Sequence, residues 1–245
     1  MAKRKKRNHR RRIYVSIFSL LIVLIFLIVR YRPFKRELQL SEEFSGIRTL
    51  NSPFVSHGID ISHHQSKIDW ELFKKKGADT LLSFVYCKAT EGNNFVDPLW
   101  KINSAHLSEN SIQKGAYHFF HPTISAKEQA VHFLTNYSPE QSDLPPAIDS
   151  ELETAQYSSL IDSMHVWLNY VEKQTGKRPI IYTSYFLYSN HFQNAFPGYK
   201  FWIANYNDVP KKLESENIIH WQYSDKGKIP GIRGNVDLNV SKIEF

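Results

Sequence analysis

Residues 114–149 read KGAYHFFHPTISAKEQAVHFLTNYSPEQSDLPPAID. The opening stretch, Lys114–Phe120, is apolar and rich in β-formers, which predicts a strand. Ser125–Asn136 has helical spacing, and Ser125 followed three residues later by Glu128 is a capping-box signature for a helix start. Pro146–Asp149 is again a short apolar strand. Strand, helix and strand make one β–α–β unit, in which the helix carries the chain back so that the two strands run parallel.

Working outward, the same alternation continues on both sides. Upstream, Gly58–Ser62 reads as a strand and Asp69–Gly77 as a helix ending on glycine. Leu81–Ala89 is a buried strand, and Pro98–Asn110 a helix with a proline start. Downstream, Ser158–Thr175 is a long amphipathic helix closed by Gly176, and Pro179–Thr183 a strand. Phe201–Asn205, Ile219–Tyr223 and Val236–Asn239 are three more short strands with little room for helices between them. About five β–α units followed by three strands favour a parallel sheet. The expected fold class is α/β, a TIM-like β/α barrel over residues 55–245 with fewer than eight helices, preceded by one N-terminal transmembrane helix. A doubly wound open sheet is the competing arrangement.

Composition fits a folded body on a basic tail. Of 245 residues, 42% are hydrophobic and 14% aromatic, which excludes a disordered chain. One cysteine excludes an intramolecular disulfide framework and any multi-cysteine zinc site. The net charge of +7 is unevenly placed. Residues 1–54 carry 13 Lys/Arg against 3 Asp/Glu, and residues 55–245 carry 18 against 21. The body is mildly acidic, so no nucleic-acid partner is expected. Residues 1–12 form a basic segment, and Ile13–Val29 then runs 17 residues without a charge. That length is the lower limit for a spanning helix and longer than a signal-peptide core, and no small-residue cleavage site follows. The denser basic flank precedes the run, which places the N-terminus in the cytoplasm and the body outside it. Cleavage as a signal is the alternative. Residues 30–54 read as a tether, spanning roughly 27 Å as a flexible coil at about 5–6 Å × √n.

Polar residues collect in the expected strands, mostly at their C-terminal ends. Asp60 lies in the first, Lys88 and Glu91 close the second, and His118 and His121 the third. Asp149 and Glu151 close the fourth, Tyr182 lies in the fifth, Tyr206 after the sixth, Gln222 in the seventh and Asp237 in the eighth. In a barrel these ends meet at one mouth, where barrel enzymes keep their active sites. Asp149 and Glu151 stand two residues apart, so on a strand both face one side. Neighbouring carboxylates repel, which raises the pKa of one, and an acid beside an ionised partner is what glycosidic cleavage needs. The same residues also suit a plain acidic loop edge, since Glu153 is close by. Aromatics on the third and later strands suit stacking on sugar rings, although Phe119, Phe120 and Trp70 read better as core. In Trp221-Gln222-Tyr223 the two aromatics share a face opposite Gln222. His118 and His121 invite a metal reading, converging with Asp60 or Asp149, but no H-E-x-x-H exists and no metal or other cofactor is expected. Cys87, inside an apolar strand, reads as a buried, inert thiol.

In order, the blocks HGIDISHHQ, FVYCKATEG, GAYHFFHP, PAIDSE, PIIYTS, FWIANY, HWQYS and GNVDLN resemble glycoside hydrolase family 25, the lysozyme-type muramidases. The resemblance runs from about Ser56 to Phe245. It implies a β/α barrel with fewer than eight helices. It also implies hydrolysis of the β-1,4 bond between N-acetylmuramic acid and N-acetylglucosamine, so peptidoglycan glycan strands are the expected partner, with the chain a monomer. It places the catalytic pair at Asp149 and Glu151, with supporting carboxylates at Asp60 and Asp237. Tyr117, Tyr182, Trp202 and Tyr206 match cleft positions, and Lys88 and Glu91 join them as substrate-binding candidates. Ser150 stands where the family often has an apolar residue. Glu151 is the expected general acid. For Asp149 two roles stay open: direct nucleophile, or carboxylate that orients the substrate's own N-acetyl group. A non-catalytic glycan-binding module and a metal-dependent amidase or deacetylase are the rival functions.

Overall fold

The computed structural model describes residues 44–49, 53–110, 112–140, 143–207 and 213–245. The basic segment 1–12, the apolar run 13–29 and most of the tether 30–54 lie outside the described residues. A compact unit runs from Gly46 to Phe245. Among the described residues no helix is long and apolar enough to cross a membrane.

Among the described residues nine strands form one sheet: β1 (Ser56–Ile61), β2 (Leu82–Glu91), β3 (Phe95–Val96), β4 (Gln113–Phe119), β5 (Ala147–Asp149), β6 (Ile180–Ser184), β7 (Phe201–Ala204), β8 (Ile218–Gly227) and β9 (Val236–Ser241). Their order is β1-β9-β8-β7-β6-β5-β4-β2-β3, and β1 also pairs with β2. That pairing closes eight strands into a barrel and leaves β3 as a small hairpin on the end of β2. The expected strands are present, and the barrel replaces the open-sheet alternative. One expectation is corrected. β9 runs antiparallel to both β8 and β1, so the sheet is not wholly parallel. A parallel β9 would need a crossover, and the short loop after β8 permits only a reversal.

Local chemistry explains the helices. Asp69 caps Trp70–Lys75, its carboxylate accepting from the Leu72 N–H at 2.9 Å. Ser125 Oγ accepts from Glu128 N at 3.4 Å at the start of Ala126–Asn136. Tyr157–Thr175 ends on Gly176, whose φ of 70° is left-handed and suits glycine.

Large aromatics fill the barrel interior. Phe84, Tyr86, Tyr182 and Trp202 pack there with Ala147 and Ile180. They fit because glycines face them. A Cβ on Gly58 would lie 2.4 Å from the Phe84 ring, and one on Gly115 would lie 2.2 Å from the Tyr86 ring.

Among the described residues no helix follows β7 or β8, and residues just before β1 pack on this part of the wall. The Arg48 guanidinium lies 5.2 Å from the Trp221 ring centroid and 5.3 Å from that of Tyr223. Phe54 packs 5.6 Å from Trp221, and the Val55 N–H donates to Ser241 O at 2.7 Å. Arg48 and Phe54, read from sequence as tether, therefore dock on the outer wall of the barrel.

Candidate active site

One cleft opens at the C-terminal ends of the parallel strands, lined by Asp60, His64, Lys88, Tyr117, Phe119, Asp149, Glu151, Tyr182, Trp202, Tyr206, Gln222 and Asp237. It gathers all four expected catalytic carboxylates and five of the six substrate-binding candidates. Glu91 stands just behind, bonded to Lys88. Asp237 reaches the mouth for a reason the sequence reading did not contain. It lies near the start of β9, and only an antiparallel strand puts its start at this end, with Asp237 directly opposite Asp60.

Like charges directly opposite on paired strands repel. Asp60 is buried, and its pKa rises to about 6, first through burial and further through the charge of Glu151. Hydrogen bonds oppose the rise. Gln222 Nε2 and Asn239 Nδ2 donate to Asp60 Oδ2 at 2.9 and 2.8 Å. Asp237 rises to about 8, through burial and then the charge of Asp60. The two carboxyls hydrogen-bond to each other, which favours the charged form of Asp60 and the protonated form of Asp237. Between about pH 6 and pH 8 the dyad therefore holds one proton and one negative charge.

A fixed network orients this dyad. The hydroxyls of Tyr182 and Tyr206 donate to Gln222 Oε1 at 2.9 and 2.8 Å, which turns its amide nitrogen toward Asp60. Trp202 Nε1 donates to Asn239 Oδ1 at 2.7 Å with the same effect on Asn239. Trp202 is buried as the floor of the cleft, while Tyr206 is half exposed at its rim.

Asp149 ends β5, buried, and Glu151 follows it in the open mouth. The Asp149 carboxyl is held well above the usual range, first by burial and then by the charge of Glu151, with Lys88 pulling it back. Its Oδ1 is buried without a hydrogen-bond partner. Glu151 is raised first by burial, against lowering by the charge of Lys88 and by the polar hydroxyl of Tyr182 nearby. Two carboxyls, both raised above their ordinary range, thus share one cleft with Lys88, the one lysine or arginine in the described lining.

Other expectations are corrected. Phe119 lines the cleft rather than the core, since the inward alternation Gly115, Tyr117, Phe119 carries it to the mouth. His118 and His121 do not converge on Asp60 or Asp149. His118 is fully buried, its Nδ1 2.8 Å from Thr90 Oγ1 and its Nε2 3.2 Å from Gln129 Oε1. His121 Nε2 lies 3.0 Å from Glu91 Oε1. Asn239 and His64 were not among the expected site residues, and Gln222 was expected at the mouth but given no role. For Gln222 the signal was present: it alternates against Trp221 and Tyr223, which face outward, so it faces the lumen. Asn239 lies two residues after Asp237 and shares its face, whereas His64 sits in a short 3-10 turn with no sequence signal. Cys87 is buried, and burial pushes its thiol well up, as an inert core residue requires.

Residues 59–232 match the glycosyl hydrolases family 25. Over 190 residues the chain is 38% identical to YegX of Escherichia coli strain K12, covering 76% of this chain and 70% of that protein. It is 31% identical over 201 residues to lysozyme M1 of Streptomyces globisporus, covering 74% and 66%. Among solved structures, a family 25 glycosyl hydrolase from Bacillus anthracis superposes with a TM-score of 0.70 at 26% identity, covering 82% of this chain and 94% of that one. The bacterial lysozyme of Streptomyces coelicolor gives 0.64 at 28% identity, covering 75% and 90%.

Proposed function

Given that the chain belongs to glycosyl hydrolases family 25, we propose that it is a membrane-anchored N-acetylmuramidase, a glycosidase that cleaves the β-1,4 bond after N-acetylmuramic acid in peptidoglycan. The observation that carries the residue roles is the pairing of Asp149 and Glu151 in one cleft, one buried with an unpartnered oxygen and the other open to solvent.

Glu151 is the general acid. Its raised pKa keeps a proton available for the leaving glycosidic oxygen, and it reaches substrate from the open side. Asp149 lies deeper, where burial and the charge of Glu151 raise its carboxyl and the charge of Lys88 opposes that rise. The free Oδ1 suits accepting the N–H of an acetamido group, so we assign Asp149 to orienting the substrate's own N-acetyl oxygen for attack on the anomeric carbon. That route retains configuration, as direct attack would. Asp60 and Asp237 add one negative charge under the forming cation. Trp202 and Tyr206 offer apolar faces to sugar rings.

The anchor is the apolar run Ile13–Val29, with the barrel outside the cytoplasm. Full-length protein should stay in the membrane fraction and resist extraction by high salt. A soluble form beginning after residue 30 would replace the anchor with a cleaved signal. The activity is tested by digesting purified peptidoglycan and identifying the new reducing ends by mass spectrometry. Muramic acid at those ends is the expected product. N-acetylglucosamine there would make the enzyme a glucosaminidase.

A further inference from the structure

At the end of β2 a cation is held by a chain of contacts that reaches the outer helix layer. Lys88 Nζ donates to Glu91 Oε2 at 2.6 Å, and His121 Nε2 lies 3.0 Å from Glu91 Oε1. In a regular strand, residues three apart face opposite sides. Here the register of β2 on β4 shifts between Lys88 and Thr90, and this irregularity brings Lys88 and Glu91 together. Such bulges re-aim side chains beside active sites. His121 is fixed in turn. Its N–H donates to Gln129 Oε1 and its carbonyl accepts from Gln129 Nε2, both at 2.9 Å, and Gln129 is wholly buried on Ala126–Asn136. The ammonium sits 4.8 Å from the Phe119 ring centroid and 5.8 Å from that of Phe95.

We propose that Glu91 and His121 are positioning residues that act through the Lys88 ammonium to set the charge state of the Asp149–Glu151 pair. The proposal rests on the glycosidase reading above. Lys88 is buried, so its charge is poorly screened and acts strongly across the mouth. Facing it there are Asp60, Asp149, Glu151 and Asp237, with His64 at the rim. The nearby histidines behind it are engaged elsewhere: His63 with Asp97, His118 with Thr90 and His132 with the Phe95 carbonyl. Burial pushes the Glu91 carboxyl up, but hydrogen bonds from Lys88 and His121 overcome this and hold it below the ordinary range. Glu91 thus shares its charge between two donors. Without His121 it would draw more of the ammonium's field away from the catalytic pair.

The test is the pH–rate profile on purified peptidoglycan, whose alkaline limb reports deprotonation of Glu151. Lys88→Met should move that limb up by about 1 pH unit, since an opposite charge is lost. His121→Leu should move it the same way by less, and His121→Gln, which still donates to Glu91, should restore it. In the Lys88→Met background His121→Leu should cause no further movement. A His121→Leu profile that is lower at every pH but unshifted, or a shift that persists without Lys88, overturns the relay. Glu151→Gln is run alongside. If it stays active, the glycosidase reading falls and the relay with it. If it is inactive while the His121→Leu limb stays in place, only the relay falls.

Discussion

Glu151→Gln keeps size and removes the transferable proton. A loss of at least about 10²-fold in turnover is expected, the lower end for general acid catalysis. Thermal stability should be nearly unchanged, because Glu151 stands in a wet mouth. Wild-type turnover by this variant would assign the acid elsewhere. The dyad makes a finer prediction. Asp60 carries the negative charge of the pair in the neutral range, while Asp237 is the protonated member. Asp60→Asn removes a charge that helps Glu151 hold its proton, so the alkaline limb of the activity profile should move to lower pH. Asp237→Asn replaces a neutral donor with a neutral donor and should leave the limb in place below about pH 8. Stability shows the complementary effect. With a folded pKa of about 8, above the unfolded value, Asp237 contributes stability that is complete at low pH and is lost as pH rises through about 8. Melting curves between pH 5 and pH 9 should therefore fall less steeply for Asp237→Asn than for the wild type. Parallel curves would remove the dyad from the account.

At the scale of elements, most of the architecture was legible because parallel strands and amphipathic helices write themselves as periodicity. The block around Ser125, the glycine after Thr175 and the apolar run at Leu81–Ala89 each specify a local structure on their own. Strand direction at the end of the chain is different. Nothing within Val236–Asn239 distinguishes a parallel strand from an antiparallel one, and only the length of the preceding connection decides it. Asp237 was placed at the mouth by the barrel reading and given a supporting role by resemblance, while its geometric reason came from β9. The β2 irregularity was equally hidden, since KATE carries no signal for which residue is unpaired. The interior glycines show what local reading misses in packing. Gly115 in β4 leaves space that Tyr86 of β2 fills, and Tyr86 is wholly buried with its hydroxyl donating to Pro145 O at 3.0 Å. Gly115→Ala would force the ring to move where it has no room. Overpacking of this kind costs about 1–3 kcal/mol, to be read as a lowered denaturation midpoint at unchanged slope. A neutral result would mean that Tyr86 has an alternative seat in the barrel.

At the scale of the whole molecule, the barrel is incomplete without the segment that precedes it. An eight-stranded β/α barrel normally buries its outer wall under helices. Around β8 that cover is supplied by Arg48 and Phe54 lying on Trp221 and Tyr223. Both aromatics are buried at 4% and 3% exposure, and Phe54 at 6%. The catalytic unit therefore begins at Gly46 rather than at the first strand. A fragment starting at residue 55 keeps every cleft residue yet bares two large rings and loses the burial of a third. Fully burying one large apolar side chain is worth about 1.5–3 kcal/mol, which for a domain of this size is a fall in Tm of roughly 3–12 °C. Calorimetry of fragments 46–245 and 55–245 makes the comparison directly. The shorter one should melt lower and bind more of a hydrophobic dye, while its activity at low temperature stays close to that of the longer one, because Arg48 and Phe54 pack on Trp221 and Tyr223, which face away from the cleft. Equal melting temperatures would return residues 46–54 to the role of a passive tether.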